Sequence, residues 1–97
     1  MATYISLVSF TEKGVESLKE SAARLDAAKQ GLRALGGELK GWYMTMGQYD
    51  VIFIFDAPSD EAAATGILTL ASQGHVRTQT LRAFSEEEYR KLLTALP

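Results

Sequence analysis

The side chains able to do chemistry in this sequence are few: one histidine, no cysteine, and 12 acids spread over 97 residues. A carboxylate beside an imidazole makes a base and its orienter, so Asp50 with His75 is the first pair to weigh. Asp50 ends the stretch "GQYD", Gly47 to Asp50, and aromatics surround it: Trp42, Tyr43, Tyr49 and Phe53. Such rings, with Met44, suit the walls of a site for a small, mostly apolar molecule, and Asp50, Arg77 or Lys40 suit its polar anchors. The candidate ligand-binding residues are therefore Trp42, Tyr43, Tyr49, Asp50, His75 and Arg77, with no catalytic role assigned to any. Each also has a plainer reading. Aromatics at period two pack cores and interfaces, and a carboxylate entering a buried strand is a polar plug held by a nearby donor. A histidine after a helix-ending glycine is a surface or cap residue.

Several classes of chemistry are excluded or unsupported. Without cysteine there are no disulfides, thiolate nucleophiles, iron–sulfur clusters or thiolate zinc sites. One histidine offers no paired-ligand spacing, and Asp56, Asp60 and Glu61 suit the positive end of a helix better than a cation. No glycine pattern cradles a phosphate, and no nucleophile-elbow sequence positions a serine for a triad. No metal or cofactor is expected. A net charge of −2 gives no reason to expect nucleic acid, and Arg77, Arg82, Arg90 and Lys91 read as scattered surface charge. No signal-peptide pattern is visible, and no apolar run approaches the roughly 20 residues of a membrane span. The expectation is a soluble cytoplasmic protein without a membrane partner.

These residues must be positioned by the elements around them. "TYISLVSF", Thr3 to Phe10, is β-branched and aromatic, the composition of a strand. From Gly14 to Leu35 the apolar residues Val15, Leu18, Ala22, Leu25, Ala28, Leu32 and Leu35 recur at helical steps, and Gly36-Gly37 ends the helix. Glu38 to Met46 predicts a second strand and Tyr49 to Ala57 a third, joined by a tight Gly47-Gln48 link. Ser59 caps a helix running to about Gln73, and Gly74 closes it. "HVRTQTLRAF" predicts the fourth strand, and Ser85 with Glu88 has the spacing of a capping box opening a short C-terminal helix. The order β-α-β-β-α-β with a tail helix predicts an α+β, ferredoxin-like antiparallel sheet with both main helices on one face, as one domain over 1–97.

The third strand is apolar on both sides. Val51, Phe53 and Phe55 alternate with Ile52 and Ile54, as Tyr4, Val8 and Phe10 do with Ile5 and Leu7. Two helices cover one face only, and a wet aromatic face would forfeit about 1.5–3 kcal/mol for each large side chain. A homo-oligomer packed sheet to sheet is expected, with Phe53 at the seam. The alternative cover is the C-terminal helix, through Tyr89, Leu92, Leu93 and Leu96.

If Gly47-Gln48 is a two-residue turn, Met46 faces Tyr49, Thr45 faces Asp50 and Tyr43 faces Ile52. The Thr45 hydroxyl is then the natural donor to Asp50. With "YISLVSFTEKGVESLKES" near the start, and a length of about a hundred residues, "GQYD" resembles the GYD domain family over essentially the whole chain. The resemblance implies a ferredoxin-like fold of the dimeric α/β-barrel kind, with the family's defining residues on Gly47, Tyr49 and Asp50. It implies no catalytic roles. The sequence therefore points to a small-molecule-binding module with its pocket near the Gly47–Asp50 hairpin. Two alternatives stand: a cofactor-free isomerase- or oxygenase-like enzyme using Asp50 and His75, or a purely structural oligomer.

Overall fold

The computed structural model describes residues 1–97. Strand β1 is Ala2–Phe10, β2 Glu38–Met44, β3 Val51–Ala57 and β4 Val76–Ala83; helix α1 is Glu12–Glu16, α2 Ser21–Ala34, α3 Asp60–Ser72 and α4 Glu86–Thr94. The four strands form one antiparallel sheet in the order β2-β3-β1-β4. This is the expected α+β, ferredoxin-like arrangement. Helices α2 and α3 lie over the face that carries Tyr4, Val8, Val51 and Phe55, all buried.

The helix expected from Gly14 to Leu35 is broken. Ser17 leaves helical geometry at φ −113°, and a 3-10 turn over Leu18–Glu20 leads into α2. Three groups meet at Ser17 and explain the break. Its hydroxyl donates to the Lys13 carbonyl, while Arg24 Nη1 donates to the Ser17 carbonyl and hydroxyl. A serine that bonds nearby backbone competes with the helical ladder. The caps follow expectation: Ser59 accepts from the Ala62 N–H, and Ser85 and Glu88 close a capping box.

The "TEKG" stretch works as a clamp. Thr11 N–H donates to the His75 carbonyl at 3.1 Å, the Thr11 hydroxyl to the Gly74 carbonyl at 2.6 Å, and Lys13 Nζ to the Gln73 carbonyl at 3.0 Å. Gly14 completes it, since a Cβ there would lie 2.1 Å from the His75 carbonyl oxygen. The end of α3 and the start of β4 are thereby fixed against the end of β1.

The link between β2 and β3 is wider than a two-residue turn. Residues 45–50 lie outside both strands, although the register is the expected one, with Tyr43 opposite Ile52 and Met44 opposite Val51. Gly47 adopts φ +120°, in the region that glycine enters most readily. Asp50 has a different partner from the one expected. Its Oδ2 accepts from the Phe10 N–H at 2.8 Å, and its own N–H donates to the Val8 carbonyl. The Thr45 hydroxyl instead donates to the Tyr49 carbonyl at 2.6 Å. The physical reason is that β3 begins at Val51, opposite Val8, so beyond Val8 β1 is paired with β4 on one side and has no strand on the other. The carboxylate supplies the acceptor that a further strand residue would have given.

The seam assignment also needs correcting. Phe53 lies on the helix-covered side with Phe55, 5.7 Å from it between ring centroids. The open face carries Ile5, Leu7, Ile52, Ile54, Leu81 and Tyr43, flanked by a polar group at one end: Thr3 donates to Asp56 at 2.8 Å, and Lys40 lies 3.8 Å from Asp56. Helix α4 leaves Tyr89, Leu92, Leu93 and Leu96 exposed, so it is not buried as a cover over that face.

Removing the Asp50 side chain strands the Phe10 N–H. Asp50→Ala is expected to lower stability by about 1–3 kcal/mol, the cost of an unsatisfied donor that had a charged acceptor. Urea unfolding with circular dichroism reads this; an unchanged midpoint would show that the carboxylate does not hold β1.

Candidate functional site

The core and the space beside it divide the covered face. Tyr4, Phe55, Ala57 and Ala63 pack tightly near the start of β1, with the Tyr4 and Phe55 rings stacked at 5.2 Å. Toward the other end of the sheet, α2 and α3 stand over a cavity of about 440 Å³, lined mainly by hydrophobic residues. Its floor is Val8, Phe10, Val51, Phe53 and Val76, and its walls include Leu25, Leu32, Leu35 and Leu70. The space exists because the facing helical positions are small: Ala28 and Gly31 on α2, Gly66 on α3. A Cβ on Gly31 would meet nothing within 4 Å, and one on Gly66 would meet only Leu35 Cδ1 at 3.5 Å.

The structure brings together some of the expected residues and separates others. Trp42 and His75 line this cavity, with Phe53 between them as floor. Trp42 pairs with Phe53 across β2 and β3 and is 39% exposed, which puts it at the rim. Tyr43, Tyr49, Asp50 and Arg77 do not line it. Tyr43 is on the open face, where its ring leaves only 3.2 Å for a Cβ on Gly41. The Tyr49 hydroxyl donates to Gln79 Oε1 on β4 at 3.1 Å, reaching past β1 on the same open side. Arg77 stands opposite Ser9 on β4 and is exposed. Asp50 accepts from Phe10, and no hydrogen bond joins it to His75, whose Nδ1 has no partner.

Arg24 is one of the polar cavity residues, with Lys29 and Gln73, that sequence reading missed. It sits one position before Leu25 in the apolar spacing of α2, where periodicity alone puts a solvated charge. Its half-burial follows from the turn at Ser17, to which its guanidinium is tied. No group of three or more acidic or histidine ligands is gathered anywhere in the chain.

His75 is half-buried, and its Nδ1 is closed off from solvent without a hydrogen-bond partner. Loss of solvation lowers its pKa from the usual 6.5, and the nearby Arg24 and Lys13 charges lower it further. Well above pH 6.5 the imidazole is neutral in both folded and unfolded chains and contributes nothing to pH dependence. Below that pH the unfolded chain takes up a proton that the folded chain resists, so stability falls until the lowered folded value is passed. Unfolding followed in urea from neutral to mildly acidic pH is expected to show this decline in the wild type and a shallower one in His75→Gln. Parallel profiles would contradict it.

Comparison with known proteins agrees with this architecture. The GYD domain family model matches residues 4–93. A Thermus thermophilus protein described as "glutamine synthetase and cystathionine beta-lyase binding protein" is 34% identical over 84 residues, covering 86% of this chain and 88% of its own. A crystal structure of a Thermus thermophilus protein has a TM-score of 0.56 at 22% identity, covering 88% of this chain and 95% of that one. The 5-chloro-2-hydroxyhydroquinone dehydrochlorinase of Burkholderia phenoliruptrix AC1100, solved with 2,5-dihydroxybenzoquinone, has a TM-score of 0.62 at 16% identity, covering 90% of this chain and 97% of that one. At those identities the two structures speak for the fold alone. With its family match across both main helices, α2 and α3, and into all four strands, the chain belongs to the GYD domain family.

Proposed function

We propose that this protein is a binding module that holds a small, mostly apolar molecule between its sheet and helices, and that it assembles with copies of itself through the open sheet face. The observation that carries the ligand reading is the cavity of about 440 Å³. That volume is within the range of small-molecule sites, roughly 300–1,000 Å³. Close packing is the rule in protein interiors, so a space of this size left by Ala28, Gly31 and Gly66 calls for an occupant. Its position shifts the site from the Gly47–Asp50 hairpin to the region between Trp42 and His75. Self-association is supported by the open face, whose isoleucine and leucine centre with polar margins has the make-up of an interface core and rim. An enzyme reading that relies on Asp50 and His75 has less support, since no hydrogen bond joins the two.

A second reading is favoured by the 34% identical relative, whose description names two enzymes that it binds. On that reading this chain docks onto metabolic enzymes, and the exposed Tyr89, Leu92 and Leu93 of α4, with Leu96 just beyond it, are surface available for it. Docking of this kind uses the outside of the molecule and leaves the cavity in place.

Trp42, the sole tryptophan, stands at the cavity rim and reports on its contents. N-phenyl-1-naphthylamine, a neutral fluorescent probe, is expected to bind and to accept excitation energy from Trp42. Ala28→Phe, which fills the cavity from α2, is expected to abolish this while retaining the circular dichroism spectrum. Unaltered probe binding in a folded Ala28→Phe protein would overturn the cavity reading.

A further inference from the structure

The cavity is charged on one side of the balance only. None of the 12 acids of the chain lines it, whereas Arg24, Lys29 and His75 do. The protein as a whole carries more acids than bases, so their absence here is selective. The ion pairs of the chain involve Lys40, Arg90 and Lys91, and Arg24 belongs to none of them. Arg24 is nonetheless half-buried, and only its Nη1 is engaged, at 3.0 Å from the Ser17 carbonyl and 3.1 Å from the Ser17 hydroxyl.

Those two contacts fix the guanidinium at the cavity wall and leave Nε and Nη2 without a protein acceptor. A guanidinium presents its donors in a planar fork that matches a carboxylate or sulfonate, and a partly desolvated one gains most from such a partner. The unpaired His75 lies with Gln73 at the α3–β4 junction of the lining, and the positive charges near it disfavour its own protonation.

Resting on the cavity reading, we infer that the ligand is an apolar organic acid: a hydrophobic body lies between α2, α3 and the sheet, and its anionic head is held by Arg24. A neutral apolar molecule fills the same space but gains nothing from the guanidinium. The class is defined by charge and shape, which the site selects together.

Two probes with one aromatic body separate these effects. 8-Anilinonaphthalene-1-sulfonate carries an anionic head, and N-phenyl-1-naphthylamine does not. Energy transfer from Trp42 selects probe bound near the cavity over probe bound at α4. Arg24→Gln is expected to weaken the sulfonate about tenfold, the scale of one charge-assisted contact, and to leave the neutral probe unchanged. Arg24→Lys keeps the charge and is expected to lose less. On the wild type itself, raising salt to about 0.15 M weakens the sulfonate and not the neutral probe. Equal effects of Arg24→Gln on the two probes, or none on the sulfonate, would overturn the inference while Ala28→Phe still removes both probes. If a folded Ala28→Phe protein keeps both probes, the cavity reading falls and the inference with it.

Discussion

One sheet with two apolar faces is the constraint on which the rest of this structure depends. The alternation of large residues in β1 and β3 leaves neither side fit for water, and a chain of this length has only two main helices to cover them. Those helices take the face of Tyr4, Val8, Val51 and Phe55, and they do so unevenly. Near the start of β1, Ala63 and Leu32 pack into the core on the sheet; farther along, small residues leave space between helices and sheet unfilled. The sheet therefore has a tight core, a hollow beside it and an uncovered side. Each of the three has a different physical consequence.

The Gly47–Asp50 stretch makes architectural contacts. Gly47 takes the positive φ of the loop, Tyr49 reaches to Gln79, and Asp50 completes the hydrogen bonding of β1 where β3 stops. The opening "TEKG" acts likewise at the other junction, since Thr11, Lys13 and Gly14 all engage Gln73 to His75. Such a clamp determines where His75 sits and hence what the adjacent end of the cavity offers. An apolar chamber with a fixed, unpaired guanidinium needs no hinge or lid to be selective for an acid over a neutral molecule.

The fold was largely legible in the sequence because its signals are local. Alternation marked β1 and β3, Ser59 and Ser85 marked helix starts, and Gly36 and Gly74, both at positive φ, marked helix ends. The face occupied by Phe53 was not legible, because an alternating strand shows that it has two sides but not which side the helices choose. The partner of Asp50 was hidden for a related reason: Phe10 is 40 residues away, and the contact depends on where β3 begins relative to β1. Of the expected site, Trp42 and His75 come to one cavity and Tyr43, Tyr49, Asp50 and Arg77 do not. Spacing along the chain placed aromatics near a turn; only the packing of α2 and α3 creates the space, and only the turn at Ser17 brings Arg24 to its wall.

On the proposed reading the two faces serve separate ends, the open one for assembly and the covered one for a ligand. Native mass spectrometry of the wild type beside Ile54→Asp, with both checked for folding by circular dichroism, tests it most directly. The expected result is a wild-type multimer and a folded monomeric variant that still transfers energy from Trp42 to the neutral probe. A monomeric wild type, or a variant that keeps the multimer, would contradict it.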